Sequence, residues 1–282
     1  AAIPLFIFMA SMLEKSGVIE EVFDVAYKWL GRIPGGLAVA TVVASTVLAA
    51  MVGVIGAAVV TMALVALPSM LRRGYSPVLA VGTVMAGGTL GILIPPSVLA
   101  IVYGLVANQS VGELYLGSVF PGLVLSGLYI LFSVGYALLN PKAAPRLSPE
   151  ETPTWSERWR ALRSIWSPLV LIFLVLGTIF LGLAAPTEAA AIGAFGAMVV
   201  AAIHRRLSWT ILRLALEQTA KATAMVMWIV FGANAFVGFY IAQGGDRYVS
   251  ELLLGTGLSP WGILLLMQGI LIVLGMFLDW VG

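Results

Sequence analysis

Cysteine is absent from the 282 residues, and histidine occurs once. The first absence removes disulfides, thiolate metal sites and cysteine nucleophiles; the second removes the paired imidazoles of a transition-metal site. Charge is scarce too: Asp, Glu, Lys and Arg make up 10% of the chain, against about 25% in a soluble domain. The net charge of +2 is too small for a nucleic-acid surface. No G-x-x-x-x-G-K-[ST] run is present, so this chain does not cradle and hydrolyse ATP. Nor do its apolar stretches alternate with polar residues as the strands of an outer-membrane barrel would.

What remains is apolar: 61% of the residues are hydrophobic, in recurring runs of about 20 that match the thickness of a hydrocarbon core. The fold class is therefore all-α, a polytopic helical membrane protein. Residues 1–34 hold the tail of an apolar helix and an amphipathic segment, Glu14 to Arg32, too polar to span and suited to lie at the interface. Residues 35–107 hold an apolar stretch broken at Gly53-Val54-Ile55-Gly56, then a second stretch broken at Pro95-Pro96. Arms of about 15 residues fit a re-entrant hairpin better than two full spans. Residues 108–218 read as scaffold helices around a hydrophilic linker, 141–165, ending in a second amphipathic arm. Residues 219–282 read as a second hairpin, its tip at 232–238, followed by the start of a second broken helix. The opening AAIPLFIFM carries no initiator Met and no cleavable signal pattern, and DWVG follows an apolar run directly. Both ends read as cut, so a piece of a longer protein is expected.

The order repeats. A shift of about 184 residues lays the first arm helix and interrupted hairpin on the second, and Gly91-Ile92-Leu93-Ile94-Pro95 on Gly275-Met276-Phe277-Leu278-Asp279. Interrupted segments at corresponding places in two halves point to the binding site of a secondary transporter. Charge argues with topology here. Lys28, Arg32, Arg72, Arg73, Lys142, Arg158, Arg205 and Arg206 all sit in short connections, which the positive-inside rule places in the cytoplasm. An inverted repeat would bring its hairpins in from opposite faces, so either one more crossing lies between residues 106 and 205 or the repeat is not inverted.

Prolines inside a membrane helix free carbonyls that lipid cannot satisfy. At Pro95-Pro96 the carbonyl end of one half-helix suits a hard cation. The amide end of the next, starting at Ser97, suits a carboxylate. Pro95, Pro96 and Ser97 are thus candidate substrate residues; the plain alternative is a kink. Asp279 follows a long apolar run, where a charge costs at least about 2.5 kcal/mol unless paired; it reads as an ion ligand or proton carrier, or else as a helix-end acid in water. Asn234, at the second interruption, either lines the same cavity or bonds to a neighbouring helix. Thr187-Glu188 after Pro186 reads as a helix start.

These residues resemble the large membrane subunit of tripartite ATP-independent periplasmic (TRAP) transporters. The matching stretches are AIPLFIFM, LGRIPGGLAVATVVAST, MLRRGYS, GTLGILIPPS, SVGELYLGSVFPGL, APTEAAAIGA and GMFLDW. ALLNPKAAP and MVGVIGAAVV look most like the mannitol/chloroaromatic branch, whose neighbours are associated with 2-oxo and 2-hydroxy acids. The resemblance implies an elevator-type importer in a bacterial inner membrane, driven by Na⁺ with no other cofactor. A periplasmic solute-binding protein would deliver a small carboxylate, and a small four-helix membrane subunit would complete the scaffold. It implies one Na⁺ site on backbone oxygens of Gly91, Ile94 and Pro96 closed by the first hairpin's tip, and a second involving Asp279, its repeat partner Gly275 and the second hairpin with Asn234. Relatives often carry serines at the first tip; here Gly53 and Gly56 offer backbone oxygen only. Competing readings are a stand-alone divalent-anion or citrate-type carrier, a passive scaffold, and an intramembrane aspartyl protease. The protease would need a second membrane aspartate, yet Asp24 and Asp246 lie in amphipathic or loop sequence.

Overall fold

The structure, a computed structural model, describes residues 2–53, 55–146 and 153–277. It forms two units, residues 1–220 and 221–282. The described residues are helical, with no strand among them. In the first unit the helices are α1 (Ala2–Lys15), α2 (Val18–Leu30), α3 (Gly36–Val52), α4 (Ile55–Arg72), α5 (Pro77–Leu93), α6 (Val98–Ala107), α7 (Val111–Leu139), α8 (Trp155–Ser164), α9 (Trp166–Phe180) and α10 (Pro186–Ile203). Helix α11 (Trp209–Ala242) runs on into the second unit, which continues with α12 (Gly245–Gly255) and α13 (Pro260–Phe277).

Small residues decide the packing. On α10, Ala189, Ala190, Gly193, Ala194 and Ala197 are all buried, a flat face against which α1 packs, with Met9 seated at Gly193. A Cβ on Gly193 would stand 2.6 Å from the Met9 sulfur, so the two backbones can approach only because that atom is missing. Helices α3, α4 and α5 pack by the same rule: a Cβ on Gly88 would overlap the Val59 side chain of α4, and one on Gly87 would stand 2.5 Å from Ser45 Oγ of α3. Around them Val42, Ala49, Ala50, Leu90 and Ile94 form a buried cluster capped by Leu125, Tyr129 and Ile130 of α7. The outer sides of α5 and α7 stay apolar, with Val78, Met85, Phe120 and Phe132 exposed, which suits hydrocarbon rather than water.

Five helical stretches among the described residues are long and apolar enough to cross a membrane: Pro77–Ala107 across its break, α7, α10, α11 and α13. The bent pairs α1–α2 (65°) and α8–α9 (47°) raise that to seven. Both bends put an amphipathic arm beside a span, and the two arms dock on each other. Trp29 of α2 meets Trp155 and Trp159 of α8 edge-on at 6.1 and 5.8 Å, and its Nε1–H donates to the Arg158 carbonyl at 3.3 Å. Helix α8 begins where Thr154 and Glu157 cap each other: the Thr154 N–H donates to Glu157 Oε2 at 2.7 Å, and the Glu157 N–H to Thr154 Oγ1 at 3.3 Å. The backbone donor holds the Glu157 carboxyl below its ordinary range.

The all-helical polytopic fold, the first hairpin and the first broken helix stand as the sequence indicates. The second hairpin does not. Its tip was expected at 232–238, yet α11 passes through Gly232, Ala233 and Asn234 without interruption, and its arm segment is continuous with it. A lone glycine costs a helix only about 1 kcal/mol, whereas the first tip has a left-handed glycine and the first break has two prolines. Helix α11 ends instead at Ala242, just before Gly244, which takes φ 75°. The expected second broken helix begins as α13, helical through Gly275 to Phe277; its break, which the repeat lays on Leu278 and Asp279, lies outside the described residues.

The tight α4–α5 contact can be checked with one helix as its own reference. Gly88→Ala puts a methyl group into Val59, whereas Gly82→Ala on the same helix meets nothing within 4 Å. Gly88→Ala should destabilise the full-length protein by about 1–3 kcal/mol, and Gly82→Ala should leave it unchanged or up to about 1 kcal/mol more stable. Thermal unfolding in detergent reads both.

Candidate functional site

In a continuous helix the N–H of residue i serves the carbonyl of residue i−4. Residues 95 and 96 would serve Gly91 and Ile92, but both are proline and have no N–H. Helix α5 therefore ends with two consecutive carbonyls deprived of their helical donors. Its last closing bond is Ile94 N–H to Leu90 O at 2.9 Å, and Ile94 then turns extended (φ −83°, ψ 124°). Four residues on, α6 starts after Ser97, itself extended (φ −103°, ψ 126°), whose side chain does not cap the helix. The first-turn amides of α6 thus have no acceptor within their helix. A carbonyl end and an amide end are set in one apolar stretch, four residues apart.

The tip of the first hairpin closes on that break. Gly53 ends α3 with φ 60° and its N–H on Ala49 O at 3.3 Å. A Cβ on Gly53 would overlap the Pro96 carbonyl oxygen and stand 3.7 Å from Ser97 Cα. Glycine is therefore required twice, by its dihedral and by the approach. Gly56, on the other side of the tip, is exposed with nothing within 4 Å of a Cβ.

Helix α7 holds the far side. Tyr115, fully buried, donates its hydroxyl to Ser97 O at 3.2 Å and rests edge-on against Phe6 at 6.5 Å. Gly122 lets Ile94 in, since a Cβ there would stand 2.7 Å from Ile94 Cγ1. Thr46 of α3 and Ser126 of α7 share a 2.6 Å hydrogen bond. Ile94, Pro95, Pro96 and Ser97 are all buried. The Ser97 hydroxyl is fully enclosed and, among the described residues, has no hydrogen-bond partner.

The arrangement offers neutral oxygen: main-chain carbonyls freed by the prolines, the Pro96 carbonyl under the tip, and the Ser97 hydroxyl. Such a set fits a monovalent hard cation; a divalent ion takes carboxylates. Among the described residues no cluster of three His, Cys, Asp or Glu could hold a metal. Thus Gly53, Gly91, Ile94, Pro95, Pro96 and Ser97 belong to one locale. Gly56 borders it without touching it. The candidates in the second unit are not assembled into a site: Asn234 sits exposed in mid-helix on α11, Gly275 in the last turn of α13 with open space around it, and Asp279 lies outside the described residues.

Sequence reading missed Tyr115 and Gly122. A tyrosine in an apolar span is a usable signal, because a buried phenol needs a partner. Which carbonyl it reaches, 18 residues away, is decided only by packing.

The chain matches, over residues 1–282, the family described as tripartite ATP-independent periplasmic transporter, DctM component. It is 34% identical over 279 residues to the C4-dicarboxylate TRAP transporter large permease protein DctM of Pseudomonas aeruginosa, covering 99% of this chain and 64% of that protein. To the ectoine/5-hydroxyectoine TRAP transporter large permease protein UehC of Ruegeria pomeroyi it is 30% identical, covering 99% and 64%. To the 2,3-diketo-L-gulonate TRAP transporter large permease protein YiaN of Escherichia coli it is 28% identical, again covering 99% and 64%. The chain thus spans a little under two thirds of the length of these relatives, which are named as permeases and not as enzymes. With its membrane-length helices and this match along all its residues, the chain belongs to the DctM family of tripartite ATP-independent periplasmic transporters, integral proteins of the inner membrane.

Proposed function

We propose that this chain carries the first ion site of a Na⁺-coupled importer of small organic carboxylates. The observation that carries the reading is the seat of Gly53 on the Pro96 carbonyl, at a break where two prolines have stripped the donors from two α5 carbonyls. Na⁺ bound there would join the hairpin tip to the broken helix, so ion binding would set whether the tip is closed. The amide end of α6 at Ser97 then offers a place for the carboxylate. The family description supports two further points. "ATP-independent" leaves an ion gradient as the energy source, and "tripartite" fits a periplasmic binding protein and a small membrane subunit as partners.

Relatives are named for C4-dicarboxylate, diketogulonate and ectoine. A carboxylate is common to these ligands, and recognition by backbone dipoles would tolerate that range. Within it we place the cargo of this chain among 2-oxo and 2-hydroxy acids. Asp279 is proposed as a ligand of a second Na⁺ site in the latter part of the chain, and movement of the hairpin-bearing half against the rest as the transport step.

Uptake into proteoliposomes by the full-length permease with its partner proteins tests the coupling. Uptake should need a Na⁺ gradient and ignore ATP; undiminished uptake in Na⁺-free buffer would leave a facilitator instead. Binding assays with the partner solute-binding protein should rank 2-oxo and 2-hydroxy acids above C4-dicarboxylates; the reverse order removes the cargo assignment alone.

The site is tested by variants measured for Na⁺ half-saturation. Gly53→Ala collides with Pro96 O and disfavours the left-handed turn by about 1 kcal/mol; transport should fall about tenfold or more, with Gly82→Ala unchanged. Ser97→Ala removes one neutral oxygen and should raise half-saturation roughly two- to tenfold. Asp279→Asn removes a charge and should raise it roughly ten- to a hundredfold with protein yield intact. If Asp279→Asn behaves as the parent, Asp279 is an exposed helix-end acid and the second site is misassigned.

A further inference from the structure

The chain's single histidine lies where three helix ends meet, away from the ion site. His204 follows α10, its Nδ1 2.9 Å from the Val200 carbonyl in the last turn of that helix. Its Nε2 is 2.9 Å from the carbonyl of Ser164, the last residue of α8. Glu21 of α2 brings Oε2 to 3.3 Å from the same nitrogen. Arg206 completes the group. It holds Glu21 Oε1 at 3.3 Å and donates through Nη1 to the Ser16 carbonyl, just beyond α1, at 2.8 Å.

Carbonyl oxygens only accept. The Val200 carbonyl already accepts the His204 backbone N–H at 3.1 Å, but a neutral imidazole has one N–H and sets a bare ring lone pair against one of the two oxygens; the imidazolium has two and donates to both. Val200 and Ser164 also lie at helix C-termini, whose dipoles favour a cation. Glu21 gives a third reason: its Oε2 is buried and makes no hydrogen bond, so a facing positive charge is what compensates it. The surrounding charges are mixed. From the α1–α2 corner come Glu14, which pairs with Lys15 and accepts from Gln218, then Glu20 and Glu21. Arg205 and Arg206 follow His204 directly, and Arg163 precedes Ser164 on α8. Arg206 shares Glu21 with the imidazole.

We propose that His204 is a proton-dependent clasp. As an imidazolium it fastens arm α2 and the α8–α9 corner to the end of α10, and on losing a proton it slackens its own hold on α2, which Arg206 keeps through Glu21. Helix α2 leads directly into the hairpin helix α3, so the clasp sets how firmly the base of the hairpin is tied to α10. The cation is the fastening form. The tie is therefore present at the acid end of the imidazole range and lost as pH rises through it.

The full-length protein tests this in two ways. With ¹⁵N-labelled histidine, the NMR signal that vanishes in His204→Gln should show both ring nitrogens protonated at about pH 6 and a single neutral tautomer at about pH 8.5. A neutral tautomer throughout overturns the proposal. Hydrogen exchange of the α2 amides, corrected for intrinsic rates, should lose roughly threefold to tenfold protection over the same rise, the size of one helix-end imidazolium contact. His204→Gln should be loose and pH-independent throughout. A pH response in His204→Gln equal to the parent's overturns the clasp, whatever the fate of the Na⁺ reading.

Discussion

In a hydrocarbon interior a carbonyl without a donor must find a partner inside the protein. Pro95 and Pro96 create that need twice, at Gly91 and Ile92, and the neighbourhood of the break is arranged around it. Gly53 brings a second backbone to Pro96, Tyr115 engages the next carbonyl at Ser97, and Gly122 makes room for Ile94. A set of neutral oxygens of this kind needs no charged side chain, which fits a chain that carries so few.

The same economy governs the packing. Glycine and alanine do what salt bridges and apolar burial do in water, letting backbones approach closely enough for dispersion to hold them. The faces of α10, α5 and α7 show it at Gly193, Gly88 and Gly122, each with a large side chain seated where a Cβ would be. Polar contacts concentrate at the helix ends instead. The tryptophans joining α2 to α8, and the Glu21–His204–Arg206 group, tie the amphipathic arms to the spans at the depth where ion pairs and aromatic belts are stable. The arms are thus fastened by titratable and hydrogen-bonding groups, while the hairpin and broken helix are fitted by shape.

Much of this was legible in the residues. Apolar run length gave all-helical membrane architecture, because backbone satisfaction leaves few alternatives. The doubled proline marked the break, and the glycines at 53 and 56 marked the tip. The second interruption is a weaker signal than the first: Gly232 and Asn234 keep their N–H groups, whereas Pro95 and Pro96 have none. Gly232 is tolerated inside α11, and the stop falls where Gly244 adopts a left-handed turn that side chains resist. Interruption by composition is a weaker signal than interruption by a missing N–H.

Sequence by itself determined which carbonyls lack donors, since that follows from proline's covalent structure at positions 95 and 96. It also determined the membrane class, since hydropathy and span length are properties of the residues alone. Only the tertiary structure decided that the tip at Gly53 covers Pro96, that Tyr115 reaches Ser97, and that His204 stands between Ser164 and Glu21. The last two contacts join residues 18 and 40 or more positions apart in the chain. No local preference encodes a separation of that kind; it is settled when small-residue faces lock the helices at particular heights and rotations, and the polar groups at their ends take the partners left within reach.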